Sequence, residues 1–346
     1  MQDVDSAAAH LPIALDAMGG DHAPAAMVEG AVRAAREGIA VTLVGREDAV
    51  RAELARHGAA GLPIDVVHAP DVISMEEHAT EVRKQPGLSI NVAVRLVRDG
   101  KASAVVAQGH TGATLVAALF GLGRLKGVER PAILGDLPSS KGKVAMLDIG
   151  ANADARPQFL QTFALMGAAY VSAMRGVERP SVGLLSIGEE PGKGNALTIE
   201  AYDLLKETPG LNFHGNVEGR DIFRGTTHVV VTDGFTGNVA LKLAEGEARE
   251  IFSWLRDALK GGSLLTRVGA ALVKPALKGV AARLDPAEYG AQPLLGVKGL
   301  VFIGHGSSDA RAVHSALRTA SQAVRADLLA KVSAGLSSLA GEAGEA

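Results

Sequence analysis

The sequence predicts an α/β protein built on a mostly parallel sheet, and three observations carry that expectation. Short apolar runs of strand length alternate with longer segments of helical periodicity along most of the 346 residues. Several of those runs end in a glycine-rich polar turn that opens directly into the next helix, which is how parallel strands are connected. Glycine is abundant, at 42 residues, while aromatics make up 3%, a balance that suits many tight strand-to-helix turns.

The strand-like runs are Leu11 to Asp16, Val41 to Gly45, Ile64 to His68, Ala104 to Gln108, Lys143 to Ile149, Ser181 to Gly188, His228 to Thr232 and Leu300 to Gly304. Each is a short apolar run typical of a buried strand. Helical patterns fall at Pro24 to Glu37, Glu47 to His57, Thr111 to Leu122, Gln158 to Arg175, Asn195 to Glu207 and Thr236 to Leu259. The chain divides into an N-terminal extension at 1–10, one α/β catalytic domain over 11–332, and an Ala/Gly/Glu-rich tail at 333–346 that is expected to fray.

Residues 263–284 stand out within that domain as a protruding helical hairpin. They read as two short helices broken at Pro275. Lys260, Arg267, Lys274 and Lys278 fall within about 40° of one another on a helical wheel. Leu264, Leu265 and Val268 supply apolar residues, and no acidic residue intervenes between Asp257 and Asp285. Such a segment serves either as packing at a subunit interface or as a reversible dock for an anionic membrane or an acidic carrier protein.

Composition removes several function classes. With no cysteine, disulfides, thiolate metal sites and a cysteine nucleophile are excluded. A net charge of -3 offers no global attraction for nucleic acid. No apolar run reaches the length of roughly 18 residues that suggests a membrane span, and the first ten residues lack the basic start and apolar stretch of a signal peptide. A cytoplasmic enzyme is the expectation.

In an open α/β sheet the ligand crevice lies at the carboxyl ends of the strands, so the turns there are the candidate site. The first, Asp16-Ala17-Met18-Gly19-Gly20-Asp21-His22-Ala23-Pro24, is either an anion cradle or a tight connection capped by Asp21. A second, Gln108-Gly109-His110-Thr111-Gly112-Ala113, follows another strand, and His110 there is a donor for a substrate oxygen or a plain cap. The segment Gly188 to Asn195 lacks P-loop spacing, but leaves Lys193 between glycines ahead of a helix, a cation suited to a phosphate or a developing oxyanion. Further polar turns are Asp148 to Asp154, Thr232 to Asn238 and Gly304 to Asp309. Asp148 and Asp154 have no third ligand at metal-binding spacing. Ser307 lacks the glycine that a nucleophile elbow places after its serine.

Taken in order, these segments resemble the PlsX phosphate acyltransferases. The likeness is carried by Leu15 to Pro24, Gly123-Arg124-Leu125-Lys126-Gly127, Asp148-Ile149-Gly150-Ala151-Asn152, Lys193-Gly194-Asn195, Val231 to Val239 and His305-Gly306-Ser307-Ser308-Asp309. His110, Ser186 and Ile303 depart from the family pattern. The resemblance implies a homodimeric Rossmann-like α/β/α enzyme, related in fold to phosphotransacetylases and to isocitrate and isopropylmalate dehydrogenases. It implies reversible transfer of a fatty acyl group from acyl carrier protein to inorganic phosphate. The acyl phosphate would feed an integral membrane glycerol-3-phosphate acyltransferase in phospholipid synthesis, so loose membrane association is expected of an otherwise cytoplasmic protein.

Residues and resemblance together nominate Lys193, Asn195, Asp233, Asn238, His305 and Ser307 as catalytic. For phosphate and substrate they nominate Asp16, Gly19, Gly20, His22, Gly109, His110, Thr111, Gly112, Asn152 and Ser308. No metal or other cofactor is needed, because oriented phosphate is itself the nucleophile. Without a cysteine or a well-set serine, direct attack on the thioester is the expected route. Two competing readings are a hydroxyacid dehydrogenase of similar fold, against which no strand-linked Gly-x-Gly-x-x-Gly is found, and a non-catalytic scaffold for carrier protein and membrane.

Overall fold

The structure is a computed structural model that describes residues 11–283 and 286–342. The 1–10 extension, Leu284 and Asp285 at the end of the expected hairpin, and the last four residues of the tail lie outside that range.

The chain forms two sheets rather than one. The first has seven strands in the order β3-β2-β1-β4-β12-β11-β5. These are β1 (Ile13–Asp16), β2 (Val41–Gly45), β3 (Ile64–His68), β4 (Ala104–Ala107), β5 (Ala132–Ile133), β11 (Gln292–Leu295) and β12 (Leu300–Ile303). Every pairing is parallel except those of β11, which opposes both neighbours. The second sheet has the order β6-β7-β10-β8-β9. It contains β6 (Gly135–Ser139), β7 (Gly142–Leu147), β8 (Ser181–Leu185), β9 (Asn212–Val217) and β10 (Val229–Val231), with β6 the single antiparallel member. β1, β4 and β12 are buried along their whole length, as strands covered by helices on both faces must be.

The helices, in chain order, are α1 (Ala25–Arg36), α2 (Glu47–Arg56), α3 (Ser89–Arg98), α4 (Thr111–Leu122), α5 (Pro157–Arg175), α6 (Ala196–Glu207), α7 (Gly219–Arg224), α8 (Gly234–Gly261), α9 (Leu264–Arg283), α10 (Ala310–Arg325) and α11 (Leu328–Glu342). A 3₁₀ segment at Ala79–Lys84 lies along α4. The expected frayed tail does not hold for its first ten residues. α11 continues through them, because Val332 and Leu336 are buried and Gly335 packs near Leu165 and Ala169 of α5.

The hairpin also differs from expectation. Residues 264–283 make one helix that carries Pro275 inside it, and the antiparallel partner is the 28-residue α8. Proline removes one backbone bond, a loss that packing of α9 along α8 offsets. Lys260, Arg267, Lys274 and Lys278 line the cleft between the two helices together with Arg256, Phe252 and Leu259. Leu265, Val268 and Leu272 are left exposed on the other side of α9.

The relative direction of the two sheets decides what a single chain can bring together. β7 begins beside the carboxyl end of the first sheet, where the Lys143 ammonium lies 4.3 Å from the centre of the Tyr289 ring, just ahead of β11. β7 ends at the opposite level. There Ile149 N–H donates to Ile133 O of β5, and Asn152 Nδ2 donates to Pro131 O, beside Gly296 in the β11–β12 turn. The carboxyl ends of the parallel strands therefore point to opposite ends of the molecule.

Candidate functional site

At the carboxyl end of the first sheet, three turns that are far apart in sequence meet. They follow β1, β4 and β12, which are neighbours in the sheet. Asp21 N–H donates to Gly306 O at 2.8 Å, joining the first turn to the last. Gln108, fully buried, accepts from Ser308 Oγ at 2.8 Å and donates to Gly290 O at 3.3 Å. Gly20 has φ +94°, and a Cβ there would lie 2.3 Å from Gln108 O and 3.0 Å from Gly306 O. A Cβ on Gly304 would lie 1.6 Å from Gln108 Oε1. Backbone carbonyls at Gly20, and the buried Gln108 amide at Gly304, stand where a Cβ would be, so only glycine fits.

The result is a nest with a cavity of about 180 Å³, lined by Gly19, Gly20, Gly109, His110 and Thr114 and roofed by Val72 to Met75. First-turn amides of a helix have no intrahelical partner, so those of Thr111 and Gly112 at the start of α4 are available to an anion. Asp16 and His110 line the cavity and help to build this nest. Asp16 is buried and accepts from Met18 N–H at 3.0 Å and from the Ser89 hydroxyl. Burial is the larger influence and raises its pKa. His110 Nδ1 accepts the Ala113 amide at 3.1 Å as the cap of α4, which leaves Nε2 to donate to Glu77 O at 3.0 Å. Both ring nitrogens are thus engaged within the protein in this structure. His22 is exposed beside the nest, and Ser307 is exposed beyond it.

His305 faces away from the nest cavity, toward Lys242, Glu245 and Arg249 of α8. Partial burial, then the charge on Lys242, holds its pKa below the ordinary imidazole value. It also edges a larger cavity of about 540 Å³, walled by Leu134, Leu137, Met174, Leu241 and Ile303.

The other nominated residues assemble at the far end, at the carboxyl edge of the second sheet. Asp148 is fully buried, accepting from the amides of Ile133, Gly150, Ala151 and Asn152 and from Asn152 Nδ2 at 2.7 to 3.1 Å. Burial still outweighs those bonds and raises its pKa. Asn152 also donates to Pro131 O, and its own carbonyl accepts from Gly234 N–H. Asn238 Nδ2 donates to Ile149 O at 2.9 Å. Asn195 and Asp233 cap α6 and α8 through the amides of Thr198 and Thr236.

Asn152, Asn238, Asn195 and Asp233 each hold a turn or a helix end in this structure. Lys193 differs. Its carbonyl is held by Ser186 Oγ and its amide by Glu190 O, while its ammonium forms no ion pair among the described residues. Asn216, buried on β9, donates to the same Glu190 O at 2.8 Å and so steadies this turn.

Sequence reading missed Gln108 as the hub of the nest, the Val72–Met75 roof and Asn216. Gln108 was visible as a polar residue closing an apolar strand. Nothing local marks the other two.

A family model described as "Fatty acid synthesis protein" matches residues 11–331. The chain is 62% identical over 327 residues to the phosphate acyltransferase of Thermus thermophilus, covering 94% of this chain and 99% of that one. It is 50% identical over 331 residues to the phosphate acyltransferase of Pelotomaculum thermopropionicum, covering 95% and 96%. Among solved structures, the EutD phosphotransacetylase of Staphylococcus aureus superposes with a TM-score of 0.58 at 16% identity, covering 90% of this chain and 94% of that one. The last likeness concerns the fold alone.

Proposed function

The chain belongs to the phosphate acyltransferase family, matched as a fatty acid synthesis protein, and from that premise we propose that it moves a fatty acyl group reversibly from acyl carrier protein to inorganic phosphate by direct attack. The observation that carries this reading is the nest, where the glycine turns at the ends of β1 and β4, backed by the β12 turn through Gly306 and Ser308, enclose a cavity of about 180 Å³.

In the reaction, a phosphate oxygen forms a bond to the thioester carbonyl carbon. The resulting tetrahedral oxyanion collapses by breaking the carbon–sulfur bond, and the carrier thiolate takes a proton as it leaves. Nest amides hold the dianion close to the carbonyl, and Lys193, which stands at the carboxyl edge of the second sheet and not in the nest, is the candidate cation for the developing oxyanion. Ser307 and His22 lie outside the nest cavity, exposed at its approach. No covalent acyl-enzyme is required.

Mixing the protein with acyl carrier protein thioester and phosphate is expected to give a hydroxylamine-trappable acyl phosphate. With phosphate omitted and the acyl group radiolabelled, the denatured polypeptide is expected to carry no label. A stoichiometric acyl adduct on a serine would replace direct attack by a two-step route, and no acyl phosphate at all would remove the reading.

The same proposal places the protein in the cytoplasm, loosely on the membrane, where an integral membrane glycerol-3-phosphate acyltransferase consumes the product. No helix among the described residues is long and apolar enough to cross a membrane. The contact is assigned to α9, whose Leu265 and Leu272 are 84% and 79% exposed, with the cations of the α8–α9 cleft nearby for anionic headgroups. Changing Leu265, Val268 and Leu272 to glutamate is expected to abolish cosedimentation with anionic vesicles while leaving solution activity and molecular mass unchanged. A drop in molecular mass would assign this face to subunit contact instead.

A further inference from the structure

We infer that the cavity of about 540 Å³ behind His305 holds the fatty acyl chain during transfer and limits the chain length that the protein accepts. This rests on the acyl-transfer reading above and adds where the chain lies and which residues bound it.

The cavity and the nest lie on either side of one turn. Gly304 and His305 line the cavity, while Gly306 O receives the Asp21 amide at the nest. Gln108 completes the partition. It is buried, it precedes the nest residue Gly109, and it donates to the carbonyl of Gly290, which lines the cavity. His305 and Ser307 are exposed on the rim between the two spaces. A thioester laid across that rim points its carbonyl at the nest and its chain at the cavity.

The wall suits hydrocarbon. Leu134, Leu137, Leu241 and Ile303 are buried around the space, and Met174 adds an adaptable side chain. The volume falls within the roughly 300–1,000 Å³ of pockets that enclose small molecules. Charged groups in the wall engage one another. Asp136 accepts from Arg175 and from the Tyr170 hydroxyl, Arg175 also donates to Lys143 O, and the Lys143 ammonium lies on the Tyr289 ring.

The shape is that of a passage with two ends. Buried residues of α5 share a core with Ala145 and Leu147 of β7, whereas Leu241 of α8 shares one with Val144 and Met146. Alternate residues of a strand face opposite ways, so α5 and α8 cover opposite faces of the second sheet. The cavity therefore runs from the α8 side, beside His305, past β6 at the sheet edge to Met174 and Val177 on the α5 side.

The α8 side leads on to the hairpin. Leu241, Ala244 and Ala248 line the cavity, and Phe252, Leu255 and Leu259 line the α8–α9 cleft. At 100° per residue these positions fall within about 80° of one another, so one apolar stripe joins the two spaces. A chain withdrawn from the cavity meets apolar side chains on its way to the exposed Leu265 and Leu272. The cleft itself is bordered by Arg256, Lys260, Arg267, Lys274 and Lys278, which suits a headgroup better than a hydrocarbon tail.

The test is a chain-length profile. Acyl carrier protein bearing a C8 or a C16 chain is offered to wild type and to Met174→Trp, and acyl phosphate is trapped with hydroxylamine. The larger side chain fills the α5 end of the cavity. The ratio of kcat/KM for C16 to that for C8 is expected to fall roughly 10-fold or more, the scale of one methylene that no longer fits an apolar pocket. An equal effect on both chains, or none, would overturn the inference, while wild-type turnover leaves the reaction itself standing. A wild type that makes no acyl phosphate removes the acyl-transfer reading and this inference with it.

Because Met174→Trp can fail to fold, the wild-type protein supplies a second measurement. A C16 thioester of acyl carrier protein with a diazirine at the end of its chain is irradiated on the protein with phosphate omitted. Label is expected on the segment that holds Met174 and Val177. Label confined to residues 252–278, or spread without preference, would equally overturn the inference.

Discussion

Gly20→Val is expected to eliminate acyl phosphate formation and to destabilise the protein by roughly 1–3 kcal/mol. Gly20 sits at φ +94°, which L side chains rarely adopt, and its added Cβ meets two backbone carbonyls, those of Gln108 and Gly306. Carbonyls that close strands β4 and β12 cannot swing aside as a flexible side chain would. The first turn must therefore retreat, and the amides of the nest lose their common focus. Gly38→Ala is the matching control. It has φ +86° but nothing within 4 Å of the added Cβ, so a comparable local strain should lower stability slightly and leave turnover intact. Thermal unfolding and hydroxylamine trapping of both variants separate the two effects, and a Gly20 variant with normal turnover would show that the nest does not hold phosphate.

Lys193→Ala is expected to keep the fold and lose turnover by roughly 100- to 1,000-fold, the usual consequence of removing one donor to a developing oxyanion. The side chain is exposed, and the turn around it is held by the backbone bonds to Ser186 and Glu190 and by Asn216 rather than by the ammonium. Unfolding temperature should therefore stay put. Lys193→Arg should recover part of the rate, because the charge returns in a different shape. Near-wild-type turnover in a folded alanine variant would reduce Lys193 to a surface lysine.

Residue patterns made much of the architecture legible. The strands at 41–45 and 64–68 and the helix at 111–122 coincide with the sequence boundaries, because continuous apolar runs and helical periodicity are local properties. What escaped was irregular or weakly patterned. β5 has two residues and β6 contains Pro138, an edge strand with little apolar signal. α11 was taken for a frayed tail because its burial depends on α5, more than 150 residues earlier in the chain. The helix break expected at Pro275 did not occur, since a neighbouring helix can support one missing bond.

The sequence by itself determined the fold class and the glycine-rich strand-end turns, since these follow from residue type and spacing. Only the tertiary structure decided which turns meet. Asn195 and Asp233 cap helices while Asn152 and Asn238 tie turns to Pro131 and Ile149, contacts that residue type alone does not reveal. Strand direction decided the rest. β11 opposes both its neighbours, so β5 runs with β12; because β6 continues β5 and opposes β7, the parallel strands of the second sheet run against those of the first, and residues that follow one another as a family signature along the chain end up at opposite ends of the strands.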